Sequence, residues 1–235
     1  MEHRITQNHY LYLLLALGLQ LIATPFIEKT AGKEIVGPLL STITLVAAIY
    51  AAGFGRKQLA IALGLAGFAT FGIWYVVWIE PQYILAMVSV IAHLAFNLFV
   101  VALILISLFR ARHVTSNTIY GAVSVYMLLC FSFAILYIFF EVFSPGSFFV
   151  DHGRDIDGRL DFPDLLYFSI TTQTTLGYGD VSPVSPHARS ATSVQTIIGV
   201  FYLAILISRF VSMFVTRSLE AARPEFKPSN GPDHE

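Results

Sequence analysis

The chain has 235 residues, of which 56% are hydrophobic, 14% aromatic and 12% charged, with a mean hydropathy of +0.70. A soluble domain carries roughly a quarter charged residues, so this chain cannot wet its surface, and a net charge of −1 supplies no basic field for nucleic acid. The single cysteine, Cys130, makes no disulfide within the chain, which leaves a multi-span membrane protein rather than a soluble enzyme, a disulfide-stapled module or a disordered chain.

About 20 apolar residues cross a bilayer as a helix. Residues 10–27, 35–54, 59–79, 83–109 and 119–140 meet or approach that length without an internal Lys, Arg, Asp or Glu. Residues 191–215 do so with one charge, Arg209, near the end. All six are predicted to span. The first follows Arg4 as a signal peptide would, but it lacks a small-x-small cleavage site and is expected to stay. Basic residues set the orientation. Arg4, Arg56, Lys57, Arg110, Arg112, Arg217, Arg223 and Lys227 fall on one side, and Lys29, Lys33, Arg154, Arg159 and Arg189 on the other. Both termini are therefore expected in the cytoplasm of a multi-pass cell-membrane protein.

The second and third spans carry no acids, and the fourth, 83–109, carries no Lys or Arg. Each charge crossing the field contributes about 2.3 kcal/mol per 100 mV, so strong voltage dependence is not expected. The front half places Ala60, Ala62, Gly64, Ala66, Gly67 and Gly72, all in the third span, where helices pack closely in lipid. His93 and Asn97 stand one turn apart on one face of the fourth span. They suit a polar contact to a neighbouring helix, a proton-sensitive element or a small-molecule site.

The loop between the fifth and sixth spans differs from the other, short connections. Residues 144–161 are polar and include Asp151, His152, Asp155, Asp157 and Asp161, an acidic rim that concentrates cations. An EF-hand would need Asp where Gly153 stands. Residues 162–170 turn apolar again but are too few to cross. A short helix over about 163–174 is predicted, with Pro163 at its start and Asp164 in the first turn. It leads into Thr175-Leu176-Gly177-Tyr178-Gly179-Asp180. Glycines at alternate positions permit backbone angles closed to other residues, so successive carbonyls can aim to one side. Non-helical backbone at membrane depth must be buried in protein or line a wet path, and a ring of carbonyls replaces a cation's hydration shell.

This hexapeptide resembles the potassium channel selectivity filter, Thr-Val-Gly-Tyr-Gly-Asp, with Leu for Val. The resemblance extends over residues 117–217, through Glu141, the pore-helix threonines Thr171, Thr172 and Thr174, and Gly199, twenty residues after Gly179. It implies an all-α integral membrane protein with six transmembrane helices, a re-entrant pore helix and a filter loop, assembled as a homotetramer among membrane lipids. It divides the chain into an N-terminal region 1–112, a pore domain 113–217 and a tail 218–235. The backbone carbonyls of Thr175, Leu176, Gly177 and Tyr178, with the Thr175 hydroxyl, are expected to bind potassium; no other cofactor and no catalytic step are implied.

Gly179, Asp180, Thr174, Thr171, Tyr167 and Glu141 are expected to support the filter. Tyr178 should brace the strand against the pore helix, and Asp180 should tie the outer mouth. Phe168 has no donor for Asp180, so that bond falls to Tyr167 or water. Thr171 stands where one branch of the family has a glutamate. Glu141 is expected to accept hydrogen bonds behind the filter and anchor the pore helix, or else to be an ordinary interfacial carboxylate. Gly199 is a gating hinge or a close-packing glycine. Arg209 forms a basic ring at the inner mouth or snorkels to headgroups, the latter favoured because positive charge hinders cation entry. The tail is too short for a nucleotide-binding or ion-sensing domain. The competing expectations are a weakly selective cation channel and a non-conducting sensor built on a pore relic.

Overall fold

In the computed structural model, residues 8–27, 33–53, 55–78, 83–111, 113–150 and 160–222 are described. The turret residues Asp151, His152, Asp155 and Asp157, and the tail beyond 222, lie outside them. The elements are α1 (His9–Ile27), α2 (Lys33–Ala52), α3 (Arg56–Trp78), α4 (Tyr83–Arg110), α5 (Ser116–Phe143), β1 (Phe148–Val150), α6 (Phe162–Gln173), β2 (Val181–Pro183) and α7 (Pro186–Ala222). Six of these, all but α6 and the strands, are long and apolar enough to cross a membrane. The architecture is all-α and multi-span, as expected, with α6 as the short apolar helix between the last two spans.

Lipid tails are as apolar as leucine, so these helices associate by close packing and hydrogen bonds rather than by escape from water. Ala48, Ala51, Ala62, Ala66 and Ala69 are buried between α2, α3 and their neighbours. Gly72 lies so close to Ser89 of α4 that a β-carbon there would overlap its hydroxyl. Ala60, Gly64 and Gly67, which the sequence assigns to packing, are instead exposed.

Helix α5 is the axis of the molecule: α1, α4, α6 and α7 all pack on it. Its N-terminus holds a capping box, the Thr115 hydroxyl accepting from Thr118 N and the Thr118 hydroxyl from Thr115 N. The start of α1 is fixed beside it, with Tyr10 N donating to Asn117 Oδ1 at 3.2 Å. The tyrosine ring lies where a side chain on Gly121 would sit.

Helix α6 begins at Phe162 with Pro163 in its first turn, where a missing N–H costs nothing. Asp164 Oδ2 accepts from Asp161 N at 3.2 Å. The spans α5 and α7 run longer than hydropathy outlines them, because their ends continue past the apolar segment as capped helix. One small sheet departs from the all-helical expectation. β1, before the turret, pairs antiparallel with β2, after the filter, in the register Phe148–Pro183, Phe149–Ser182 and Val150–Val181. Ser147 O extends this junction by accepting from Val184 N at 2.8 Å and Ser185 N at 3.1 Å.

Candidate ion-conduction site

The C-terminal end of α6 leaves carbonyls without helical partners, as every helix end does. The following loop supplies them. Thr175 N donates to Thr172 O at 3.0 Å, Leu176 N to Thr171 O at 2.8 Å and Gly177 N to Thr171 O at 3.2 Å. The Thr174 hydroxyl turns back to Ile170 O at 2.7 Å, and the Thr171 hydroxyl to Phe168 O at 3.0 Å. Thr174 and Thr171 thus close the helix end beneath the loop.

Beyond this anchor the backbone alternates in hand. Thr175, Gly177 and Gly179 have φ of 61°, 54° and 84°, whereas Leu176 and Tyr178 are not in the left-handed region. A uniform strand sends successive carbonyls to opposite sides. Alternating hand sends successive N–H groups to one side and so turns the carbonyls to the other. The amides of Leu176 and Gly177 turn back onto Thr171 O at the end of α6. Glycine adopts the left-handed region freely, but Thr175 is β-branched and strained there. Such strain persists only where the surroundings over-determine it.

The Tyr178 ring lies parallel to that of Tyr167 on α6, with centroids 6.4 Å apart and planes 1° apart. Asp180 Oδ1 accepts from Val181 N at 3.1 Å, at the start of β2. Glu141 corrects the sequence expectation. Its carboxylate accepts from Gly146 N at 2.7 Å and Phe148 N at 3.2 Å. These bonds fix the turret strand rather than the pore helix, because α5 ends beside the turn at 144–147. From Glu141 the connection to the end of the 175–180 loop runs through the β1–β2 pairing.

Gly199 of α7 meets the end of α6. A β-carbon there would lie 2.8 Å from both Gln173 Cγ and Gln173 O, so of the two expectations for this glycine, close packing is what its surroundings require. Arg209 neither lines an inner ring nor snorkels. Its guanidinium donates to Leu108 O, Phe109 O and Ala111 O at 3.3, 2.5 and 3.1 Å, and stands 5.2 Å from the Phe109 ring centroid. It caps the C-terminal end of α4, where orphan carbonyls and the helix dipole favour a cation.

Around the C-terminal half of α6 lies a polar network that the sequence did not reveal. The Tyr137 hydroxyl donates to Gln195 Oε1 at 2.5 Å. Gln195 Nε2 reaches Ser169 O at 2.9 Å, Ser169 Oγ at 2.7 Å and Gln173 Oε1 at 3.1 Å. Gln173 Nε2 donates to Tyr126 O at 2.9 Å while the Tyr126 hydroxyl donates to Gln173 O at 3.1 Å. The Ser169 hydroxyl closes on Cys130 O at 2.7 Å. Tyr137, Ser169, Gln173 and Gln195 are all buried. Three helices, α5, α6 and α7, are joined through these side chains, which ties the end of α6 to both long helices. The available signal was two glutamines, Gln173 and Gln195, each within a short run of threonines and serines.

Comparison with known proteins bears on this half of the chain. An ion channel family model matches residues 124–216. The potassium voltage-gated channel protein shk-1 of Caenorhabditis elegans is 30% identical over 101 residues, 43% of this chain and 18% of that protein. Two-pore potassium channel 4 of Arabidopsis thaliana is 36% identical over 86 residues, 37% of this chain and 30% of that protein. The human potassium voltage-gated channel subfamily A member 4 is 29% identical over 79 residues, 34% of this chain and 12% of that protein. The match thus spans less than a third of the length of each. No solved structure matches. Residues 124–216 are thus similar to an ion channel family, and the three relatives are potassium channels.

Proposed function

We infer that this chain is one subunit of a tetrameric, potassium-selective channel that conducts passively. The observation that carries this reading is the alternating backbone at Thr175, Gly177 and Gly179, with the amides of Leu176 and Gly177 turned back onto Thr171 O. Carbonyls of Thr175, Leu176, Gly177 and Tyr178, with the Thr175 hydroxyl, then stand in for the water shell of a dehydrated potassium ion. One chain supplies one side of such a cage, so four are needed to close it. The exposed surface of α7, including Ile197, Phe201, Ile205 and Phe214, and of residues 174–179 supports packing against further copies and lipid. Both termini sit in the cytoplasm, following the basic-residue bias. Helix α4 contains no Lys or Arg before Arg110, so opening depends little on voltage.

The test is potassium flux into liposomes holding the purified chain, with a Gly177→Asp variant for comparison. Flux in the wild type and its loss in the variant support the reading. A wild type that assembles but passes no ion under any voltage or pH contradicts it.

A further inference from the structure

A cavity among the described residues lies away from the 175–180 loop. It has a volume of about 660 Å³ and opens among α1, α2, α3, α4 and α5, at the end of the bundle that carries α6. That size falls within the usual range for small-molecule sites, about 300–1,000 Å³. Gly37 and Pro38 bring α2 to its wall, and a β-carbon on Gly37 would meet nothing within 4 Å.

Its polar lining comprises Gln20, Thr24, Ser41, Thr44, Ser89, His93, Asn97 and, at the α6 end, the exposed Asp161. Gln20, Ser41 and Thr44 are joined to one another, Thr44 Oγ1 donating to Gln20 Oε1 at 2.7 Å and Gln20 Nε2 to Ser41 Oγ at 3.4 Å. The Ser89 hydroxyl is likewise committed, to Leu85 O at 2.7 Å. His93 and Asn97, on one face of α4, also line the cavity. Among the described residues neither has a side-chain hydrogen-bond partner, although Asn97 is only 4% exposed. Arg209 Nε is the one enclosed side-chain polar atom without a partner among the described residues, so the Asn97 amide keeps access to the cavity it lines. Among the described residues no lysine or arginine lines the space; Asp161 is the one charged group there, and the remaining wall is mostly aliphatic and aromatic.

We propose that this cavity binds one uncharged amphipathic molecule, an alcohol or lipid-like compound. Its hydroxyl or carbonyl meets Asn97 and His93, and its apolar body lies against α5. An anionic ligand finds no cation here. The far wall includes Phe162 and Pro163 of α6 and Phe131 of α5, and the Phe131 and Phe162 rings lie 6.4 Å apart. Occupancy therefore bears on the start of the pore helix, a consequence that rests on the channel reading given above.

The experiment is photolabelling of the full chain in phosphatidylcholine liposomes with a diazirine-bearing octanol, the labelled residues being mapped by mass spectrometry. Saturable label on the cavity walls of α1, α2 and α4, displaced by excess octanol, is expected. Gly37→Phe, which fills the space, lowers it at least tenfold; Asn97→Leu, which keeps the volume, lowers it severalfold and guards against a folding defect in the first variant. Label confined to lipid-facing residues, label indifferent to both variants, or displacement by octylamine but not by octanol overturns the proposal. A solvent extract of the purified protein separates the sources. A neutral lipid that co-purifies with wild type and not with Gly37→Phe identifies a membrane ligand, and saturable label without one identifies a dissolved compound. Coupling is read apart from binding: octanol changes potassium flux at least twofold in wild type and leaves Gly37→Phe unmoved. An active wild type indifferent to octanol overturns the coupling alone. An inactive wild type counts against the channel reading, while saturable, displaceable label still supports the binding site.

Discussion

The carbonyl oxygen of Thr171 accepts two amides, Leu176 N at 2.8 Å and Gly177 N at 3.2 Å, and so fixes which way the loop turns after the pore helix. Gly177 holds that turn at φ 54°. Any L side chain at this position adds strain on the order of 1–3 kcal/mol, which is enough to rotate the peptide and withdraw a carbonyl from the conduction side. Gly177→Ala is expected to retain assembly, seen as an unchanged size on gel filtration, while losing at least tenfold in potassium flux. Flux equal to wild type would show that the left-handed angle is not required.

Gly199 packs on Gln173 with no room for a methyl group. Gly199→Ala overpacks this contact, at a cost of about 1–3 kcal/mol. Thermal unfolding of the solubilised protein should shift downward. Gln173→Ala alone should not rescue it, because Gln173 O is as close as the side chain. Full rescue would place the contact in the side chain and contradict the packing described.

The Tyr137–Gln195 bond ties α5 to α7 across the back of α6. Tyr137→Phe leaves a buried amide oxygen without this donor, at about 1–3 kcal/mol. Combined with Gln195→Leu, the two losses should fall short of additivity by about 0.5–3 kcal/mol. Strict additivity in unfolding measurements would mean that the two side chains do not act as a unit.

Arg209 joins α7 to the last carbonyls of α4. Arg209→Ala removes a charged cap and should destabilise the chain by about 1–3 kcal/mol. It should also alter the fraction of time the pore is open, since α7 loses its tether to the front helices. Ion selectivity, measured as a reversal potential, should not move. A changed reversal potential would return Arg209 to the conduction path.

The six spans were legible because a bilayer demands about 20 apolar residues per crossing, and 83–109 and 119–140 meet that demand plainly. The alternating backbone over 175–179 was legible because its cause is local: glycines at alternate positions in six consecutive residues. What escaped was set by partners distant in sequence. Tyr137 and Gln195 are 58 residues apart, and Arg209 meets carbonyls about 100 residues upstream, so no periodicity announces either. β1 and β2 are three residues each, too short to show alternation. Glu141 is an evident hydrogen-bond acceptor near the outer end of α5, but its donors depend on the turn at 144–147, which hydropathy does not describe. His93 and Asn97 were visible as polar residues in an apolar span; the cavity they line was not, because it depends on Gly37 and Pro38 of another helix.

The most direct test of the central claim is the reversal potential of the reconstituted channel in planar bilayers, with potassium and sodium on opposite sides. If the carbonyls of Thr175, Leu176, Gly177 and Tyr178 select potassium, the reversal potential follows the potassium gradient, by about 59 mV per tenfold change, and sodium substitution leaves no inward current. A reversal potential near zero with equal potassium and sodium opposed would mean that both ions pass alike, and would contradict the account.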